Sequence, residues 1–248
     1  MNRIKDYDRL AFDIDRWLKD YYYMYGIKAF VVGVSGGIDS AVVSTLCART
    51  ELPTYVLTMP LNSKAENTFL SDLHAYQLDK KYSNVTIVNV DLNETYDKFM
   101  IAVNNNTFTS NKLANANTKS RLRMVSLYQV AGAVGGIVVG TGNKVEDYGI
   151  GFYTKYGDGG VDIDTIGDLY KTEVRELGGY LGVDYRIIDA KPTDGLWEDG
   201  RSDEDQIGAT YSELEEAMEN GTGKAVYILY KFNKQNRHKM DPIPTFKL

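Results

Sequence analysis

One glycine-rich stretch carries a carboxylate in a telling place. Ser35-Gly36-Gly37-Ile38-Asp39-Ser40 follows the apolar run 29–34 and precedes Ala41-Val42-Val43-Ser44-Thr45-Leu46, which reads as the start of a helix. Strand, glycine turn and helix together make an anion site, because glycines admit phosphate oxygens close to the backbone and the helix start offers free N–H groups and a positive dipole end. A carboxylate beside phosphates repels them unless a cation lies between, so Asp39 implies bound Mg²⁺ and the loop implies a nucleotide polyphosphate. No lysine precedes Ser40, so this is not a lysine-bearing phosphate loop. It is not the dinucleotide fingerprint either: the nearest candidate, Gly140-Thr141-Gly142, has Val145 where a third glycine belongs. The plain alternative is a strand–helix turn with Asp39 or Ser40 as its cap.

The elements that must position such a loop follow from periodicity. Leu10, Ile14, Trp17, Leu18 and Tyr21 recur at helical spacing, so an amphipathic helix opens the chain. Strands are expected at 29–34, 54–59, 85–90 and 137–140, with helices at 41–49, 64–82, 94–103 and 119–133. The stretch 104–117, rich in Asn, Thr and Ser, reads as a mobile loop. Alternating helices and doubly apolar strands indicate an α/β fold, a Rossmann-like parallel sheet with helices on both faces. Ligands on such sheets bind beyond the C-terminal strand ends. Ser35, Pro60 and Thr141 each follow a strand, so their loops are expected to face one cleft.

Composition narrows the partners. At 248 residues, 43% hydrophobic and 25% charged, the chain is an ordinary globular sequence, read as one domain over 1–248. A net charge of −6 argues against nucleic acid, which needs a basic face. Nineteen tyrosines suit half-wet clefts or the edge of a core. The single cysteine, Cys47, excludes an internal disulfide or a Cys-based zinc cluster, and its place four residues after Val43 reads as core. No apolar signal segment opens the sequence and no apolar run approaches membrane-spanning length, so a soluble cytoplasmic protein with no membrane partner is expected.

The loop over residues 33–40 resembles the pyrophosphate-binding loop of the N-type ATP pyrophosphatases (adenine nucleotide alpha hydrolase-like), which split ATP between its α- and β-phosphates and adenylate a substrate oxygen. Gly140-Thr141-Gly142-Asn143-Lys144-Val145-Glu146 is similar to the family segment with an ATP contact and a metal ligand. The segment Phe152-Tyr153-Thr154-Lys155-Tyr156-Gly157-Asp158-Gly159-Gly160-Val161-Asp162 resembles the signature of ammonia-dependent NAD⁺ synthetases. So do Asp168-Leu169-Tyr170-Lys171-Thr172-Glu173-Val174-Arg175, Lys191-Pro192-Thr193, Leu196-Trp197, Asp203-Glu204-Asp205 and His238-Lys239, in the family's order along nearly the whole chain. Two departures stand out: an extra residue between Glu146 and Lys155, and a short segment after Pro60.

The resemblance implies roles. Gly33, Val34, Ser35, Gly36, Gly37, Ile38, Asp39, Ser40, Thr141, Lys171 and Thr193 would hold ATP. Asp39 and Glu146 would ligate Mg²⁺. Arg121, Lys155, Asp162, His238 and Lys239 would bind nicotinic acid adenine dinucleotide (deamido-NAD). Asp39 and Asp158 would be catalytic, Asp158 by orienting or deprotonating ammonium. The implied reaction is ATP-dependent amidation of deamido-NAD by ammonia through an adenylated carboxylate, in a homodimer without a glutaminase domain. Taken without the resemblance, Lys155 and Lys171 read as solvated surface lysines, Arg121 as a helix-start charge, and His238-Lys239 as part of a basic tail. His74, mid-helix, receives no role. The competing functions are another ATP pyrophosphatase, either a GMP synthetase core or a tRNA-modifying enzyme, and a non-catalytic nucleotide-binding module.

Overall fold

The computed structural model describes residues 3–104, 111–193 and 202–247. Residues 105–110 of the polar stretch, and the Leu196-Trp197 pair, lie outside the described residues.

The chain opens with α1 (Tyr7–Met24), whose first turn is capped by the Asp6 carboxylate accepting from the Arg9 N–H. Then come β1 (Phe30–Val34), α2 (Ile38–Arg49), β2 (Thr54–Thr58), α3 (Ala65–Lys81), β3 (Val85–Asn89), α4 (Asn93–Asn104), α5 (Lys112–Val134) and β4 (Ile137–Gly140). A π-helical turn, Val145–Ile150, precedes a two-residue strand β5 (Ile163–Asp164). The remainder is α6 (Lys171–Leu181), α7 (Tyr185–Ile188), α8 (Asp203–Ile207), α9 (Tyr211–Asn220) and α10 (Val226–Met240).

The five strands are parallel in the order β3-β2-β1-β4-β5. Phe30 lies beside Thr54 on one side and Ile137 on the other. The strand order reverses between β1 and β4, which makes their C-terminal ends the switch point where such sheets bind ligands.

Side chains alternate along β1 and bury both faces. Phe30 and Val32 pack with α1, α2 and α6 through Leu18, Leu46 and Leu177. Val31 packs on the opposite face with Leu57, Tyr96, Ala131 and Val138. α2 is buried on nearly every side, and Cys47 is fully buried within it. Among the described residues, no helix is long and apolar enough to cross a membrane.

Three expectations change. The helix expected from residue 119 starts at Lys112, because the Asn111 side chain accepts from the Ala114 N–H and nucleates it inside the polar stretch. Strand β3 is not buried on both faces: Thr86, Ile87 and Asn89 are exposed, as befits an edge strand. Trp17 is 43% exposed and leans on Tyr21, with centroids 6.0 Å apart, rather than entering the core.

Candidate active site

The loop between β1 and α2 is folded on its own serines. Ser40 Oγ accepts from the Ser35 N–H (3.1 Å) and donates to the Gly37 carbonyl (3.0 Å), while Ser35 Oγ accepts from the Gly37 N–H (3.2 Å). Gly36 is held at φ +88°, and a Cβ there would lie 2.6 Å from the Asn67 carbonyl oxygen, so only glycine fits. No side chain caps α2, whose N-cap is Gly37. Its first-turn N–H groups therefore remain for an anion.

Across the cleft, the π-helical turn brings Glu146 to the same place. Asn143 fixes that turn from below. It is fully buried, its Oδ1 accepts from the N–H groups of Val145 (3.1 Å) and Glu146 (3.2 Å), and its Nδ2 donates to Asp39 Oδ1 (3.4 Å). Gly142 leaves room for the turn: a Cβ there would sit 2.0 Å from Asp147 Oδ2.

Lys171, first residue of α6, joins the two acids. Its Nζ donates to Asp39 Oδ2 and, at 3.1 Å, to Glu146 Oε1. Burial opposes a charge on Lys171, but Asp39 and Glu146 outweigh it and hold its pKa above the ordinary lysine value. Burial also raises Asp39, against the attraction of Lys171. α6 is anchored in turn by Arg3, whose guanidinium donates to both oxygens of Glu173 (2.9 and 2.6 Å) and to the Asp168 carbonyl (2.7 Å), a forked pairing.

Beneath this cluster lies Tyr211, 1% exposed. Its hydroxyl donates to Glu146 Oε1 at 2.5 Å, and its ring centroid is 4.9 Å from Lys171 Nζ. Burial, reinforced by the charges of Glu146 and Asp203, keeps this phenol protonated. Tyr211 heads a satellite core made by Val145, Ile150, Ile207, Leu214 and Ala217.

One cavity of about 910 Å³ gathers nearly all the expected residues. Residues 33–40, Arg121, Thr141, Glu146, Lys155, Asp158, Lys171, Thr193, His238 and Lys239 line it. Asp158 is an exposed residue whose carboxylate is nonetheless fixed: Ser120 Oγ donates to its Oδ1 (2.6 Å), as does the Thr154 N–H (3.1 Å). Desolvation of the carboxyl oxygens raises the Asp158 pKa from its ordinary value, against those bonds. Arg121 donates to the Lys155 carbonyl (3.3 Å), and Lys155 Nζ to the His238 carbonyl (3.0 Å). Lys239 Nζ donates to the carbonyls of Gly151 and Tyr153 (2.8 Å to the latter), and burial lowers its pKa.

Asp162 is the exception, since it does not line this cavity. Its carboxylate accepts from the Val138 N–H (2.8 Å) and the Tyr128 hydroxyl (3.1 Å). β5 begins only at Ile163, so the Asp162 side chain supplies the acceptor that the Val138 N–H needs. The sequence reading missed Asn143, Ser120 and Tyr211. The Asn143 side chain was foreseeable from its position three residues before Glu146; nothing local marks Tyr211.

The donor set fits magnesium. Asp39 and Glu146 offer hard oxygens, which suit Mg²⁺ rather than a soft metal. Lys171 sets an ammonium against both carboxylates, so the pair faces positive charge and the lysine shares these oxygens with any ion bound there.

A parallel sheet whose switch point carries an uncapped, glycine-led helix start and a carboxylate–lysine cluster defines an α/β nucleotide-binding protein. The family model described as NAD synthase matches residues 10–241. An NH(3)-dependent NAD(+) synthetase from Finegoldia magna is 37% identical over 238 residues, covering 94% of this chain and 94% of that one. Among solved structures, an NMN synthetase from Francisella tularensis superposes with a TM-score of 0.89 at 31% identity, covering 99% of this chain and 100% of that chain. An NAD⁺ synthetase from Burkholderia pseudomallei superposes with a TM-score of 0.75 at 27% identity, covering 95% and 90%. The chain belongs to the NAD synthase family.

Proposed function

We propose that this chain is an ammonia-dependent NAD⁺ synthetase, which amidates the nicotinate carboxylate of deamido-NAD and converts ATP to AMP and pyrophosphate. The observation that carries the reading is the meeting of Asp39, Glu146 and Lys171 above the glycine loop. A carboxylate is a poor acyl donor, because an oxide would have to leave. In the first step its oxygen attacks the α-phosphorus of ATP, the bond to the bridging oxygen breaks, and pyrophosphate departs. The uncapped start of α2 and the Lys171 ammonium stabilise the charge that develops there. In the second step the nitrogen of ammonia attacks the acyl carbon, AMP leaves, and nitrogen gives up a proton.

Asp39 and Glu146 would hold Mg²⁺, which supplies charge neutralisation for the phosphates. Thr141 and Thr193 would complete the ATP site. Arg121, Lys155, His238 and Lys239 offer cationic or polar contacts to the dinucleotide, and Asp162 acts on that site by anchoring β4. Asp158 would orient ammonium or take its proton. A homodimer is part of the same proposal, supported by exposed apolar side chains on α5 such as Leu113 and Val125. A cytoplasmic location is part of the same proposal.

A second reading replaces the dinucleotide by nicotinate mononucleotide. The overlap with the Francisella tularensis NMN synthetase favours it, with a TM-score of 0.89 against 0.75 for the Burkholderia pseudomallei enzyme. The experiment supplies ATP, Mg²⁺ and ammonium with each acid in turn and measures amide and pyrophosphate. Pyrophosphate matched by NAD⁺, with deamido-NAD the acid of higher kcat/KM, supports the first reading. A higher kcat/KM for the mononucleotide selects the second, and release of ADP or no product with either acid overturns both.

A further inference from the structure

We propose that Tyr211 is a positioning residue that restricts Glu146 to one-oxygen coordination and thereby sets a preference for Mg²⁺ over Ca²⁺. This rests on the reading that Glu146 is a metal ligand.

The geometry is specific. Tyr211 has one hydroxyl proton and two carboxylates within reach. Glu146 Oε1 lies at 2.5 Å and Asp203 Oδ2 at 3.4 Å, so the shorter bond belongs to Glu146. The same Oε1 accepts from Lys171 Nζ at 3.1 Å. Two donors thus converge on one oxygen of the carboxylate. Among the described residues Oε2 accepts no hydrogen bond, and Glu146 lines the cavity. Both lone pairs of Oε1 are taken by these donors, so presenting both oxygens to one ion costs the Tyr211 or the Lys171 hydrogen bond.

That constraint bears on ion choice. Magnesium takes about six oxygens in a tight octahedron and accepts a carboxylate through one oxygen, whereas calcium takes about six to eight and accepts both oxygens of one carboxylate. A glutamate with one oxygen occupied by a buried phenol suits the first ion and denies the second its preferred contact. The phenol does not line the cavity, so it acts through Glu146 alone.

The test uses the full chain with an ATP analogue whose α–β bridge is carbon. Calorimetric titration gives the dissociation constants of Mg²⁺ and Ca²⁺ for the native protein, Tyr211→Phe and Glu146→Gln. Tyr211→Phe is expected to shift the Mg²⁺/Ca²⁺ affinity ratio toward calcium by about tenfold or more, within the range by which groups behind metal ligands tune affinity. Tyr211→Met also lacks the hydroxyl and carries the same test if the Phe variant does not fold. A Tyr211 variant that weakens both ions equally, or changes neither, overturns the proposal while leaving Glu146 as a ligand. Glu146→Gln with both affinities unchanged overturns the metal assignment itself, and this inference with it.

Discussion

Ser120 Oγ donates to Asp158 Oδ1 at 2.6 Å and accepts from the Asp158 N–H at 2.8 Å, a reciprocal pair that locks the glycine turn onto α5. Gly157 is needed for that closeness, since a Cβ there would lie 2.2 Å from Ser120 Oγ. The result is a carboxylate with a fixed direction at the wall of the cleft.

If that carboxylate orients or deprotonates ammonium, Asp158→Asn lowers the ammonia-dependent kcat by about 10²-fold or more, in the range of a lost general base. Exchange between ATP and labelled pyrophosphate, which reports only the first step, is retained. Full amidation rates in the variant would remove Asp158 from the chemistry.

Asp39→Ala is expected to lower kcat by about 10²–10³, as when one preorganised electrostatic contact is lost. The decisive condition is saturating Mg²⁺. Near-normal turnover there would show that Asp39 is not needed for the charge on the departing pyrophosphate.

His74 supplies a pH dependence. It is buried on α3 with Nε2 3.0 Å from Ser44 Oγ, and burial lowers its pKa from 6.5 to about 4. Between those values the unfolded chain takes up a proton that the folded chain refuses. Its contribution is therefore complete above pH 6.5 and is lost as pH falls toward 4, on the order of 3 kcal/mol in all. Burial raises Asp164 to about 6, which acts in the opposite sense, so the readout is a difference between proteins. Urea unfolding should give native protein and His74→Gln a stability gap that narrows from neutrality to about pH 4.5. A constant gap would mean that this imidazole titrates normally.

Gly142→Ala pushes a methyl against Asp147 and displaces the turn that carries Glu146. A stability loss of about 1–3 kcal/mol is expected, as for overpacking in a filled interior, with a raised KM for ATP. A variant with native thermal midpoint and native KM would show that the turn adjusts freely.

Much of this site was legible because its chemistry is local. The loop at residues 33–40 announces itself by glycine spacing between an apolar run and a helix, and Thr141 by its place after β4. Lys171 was legible only through the family resemblance, because an isolated lysine at a helix start has no distinguishing neighbours in sequence. Tyr211 contacts Glu146 across 65 residues, a pairing created by the packing of α9 against the π-helical turn. Asp162 is the reverse case. Its motif placed it at the substrate, while the geometry of a late-starting β5 claims its carboxylate for the Val138 N–H.

The Arg3 fork on Glu173 carries a practical consequence. The third residue of the chain and the lysine that faces both acids are mechanically in series, joined through the opening turn of a single helix. Removing the Arg3 guanidinium would leave the Glu173 carboxylate without its forked partner two residues from Lys171, so a change made far from the cleft would reach it along that turn.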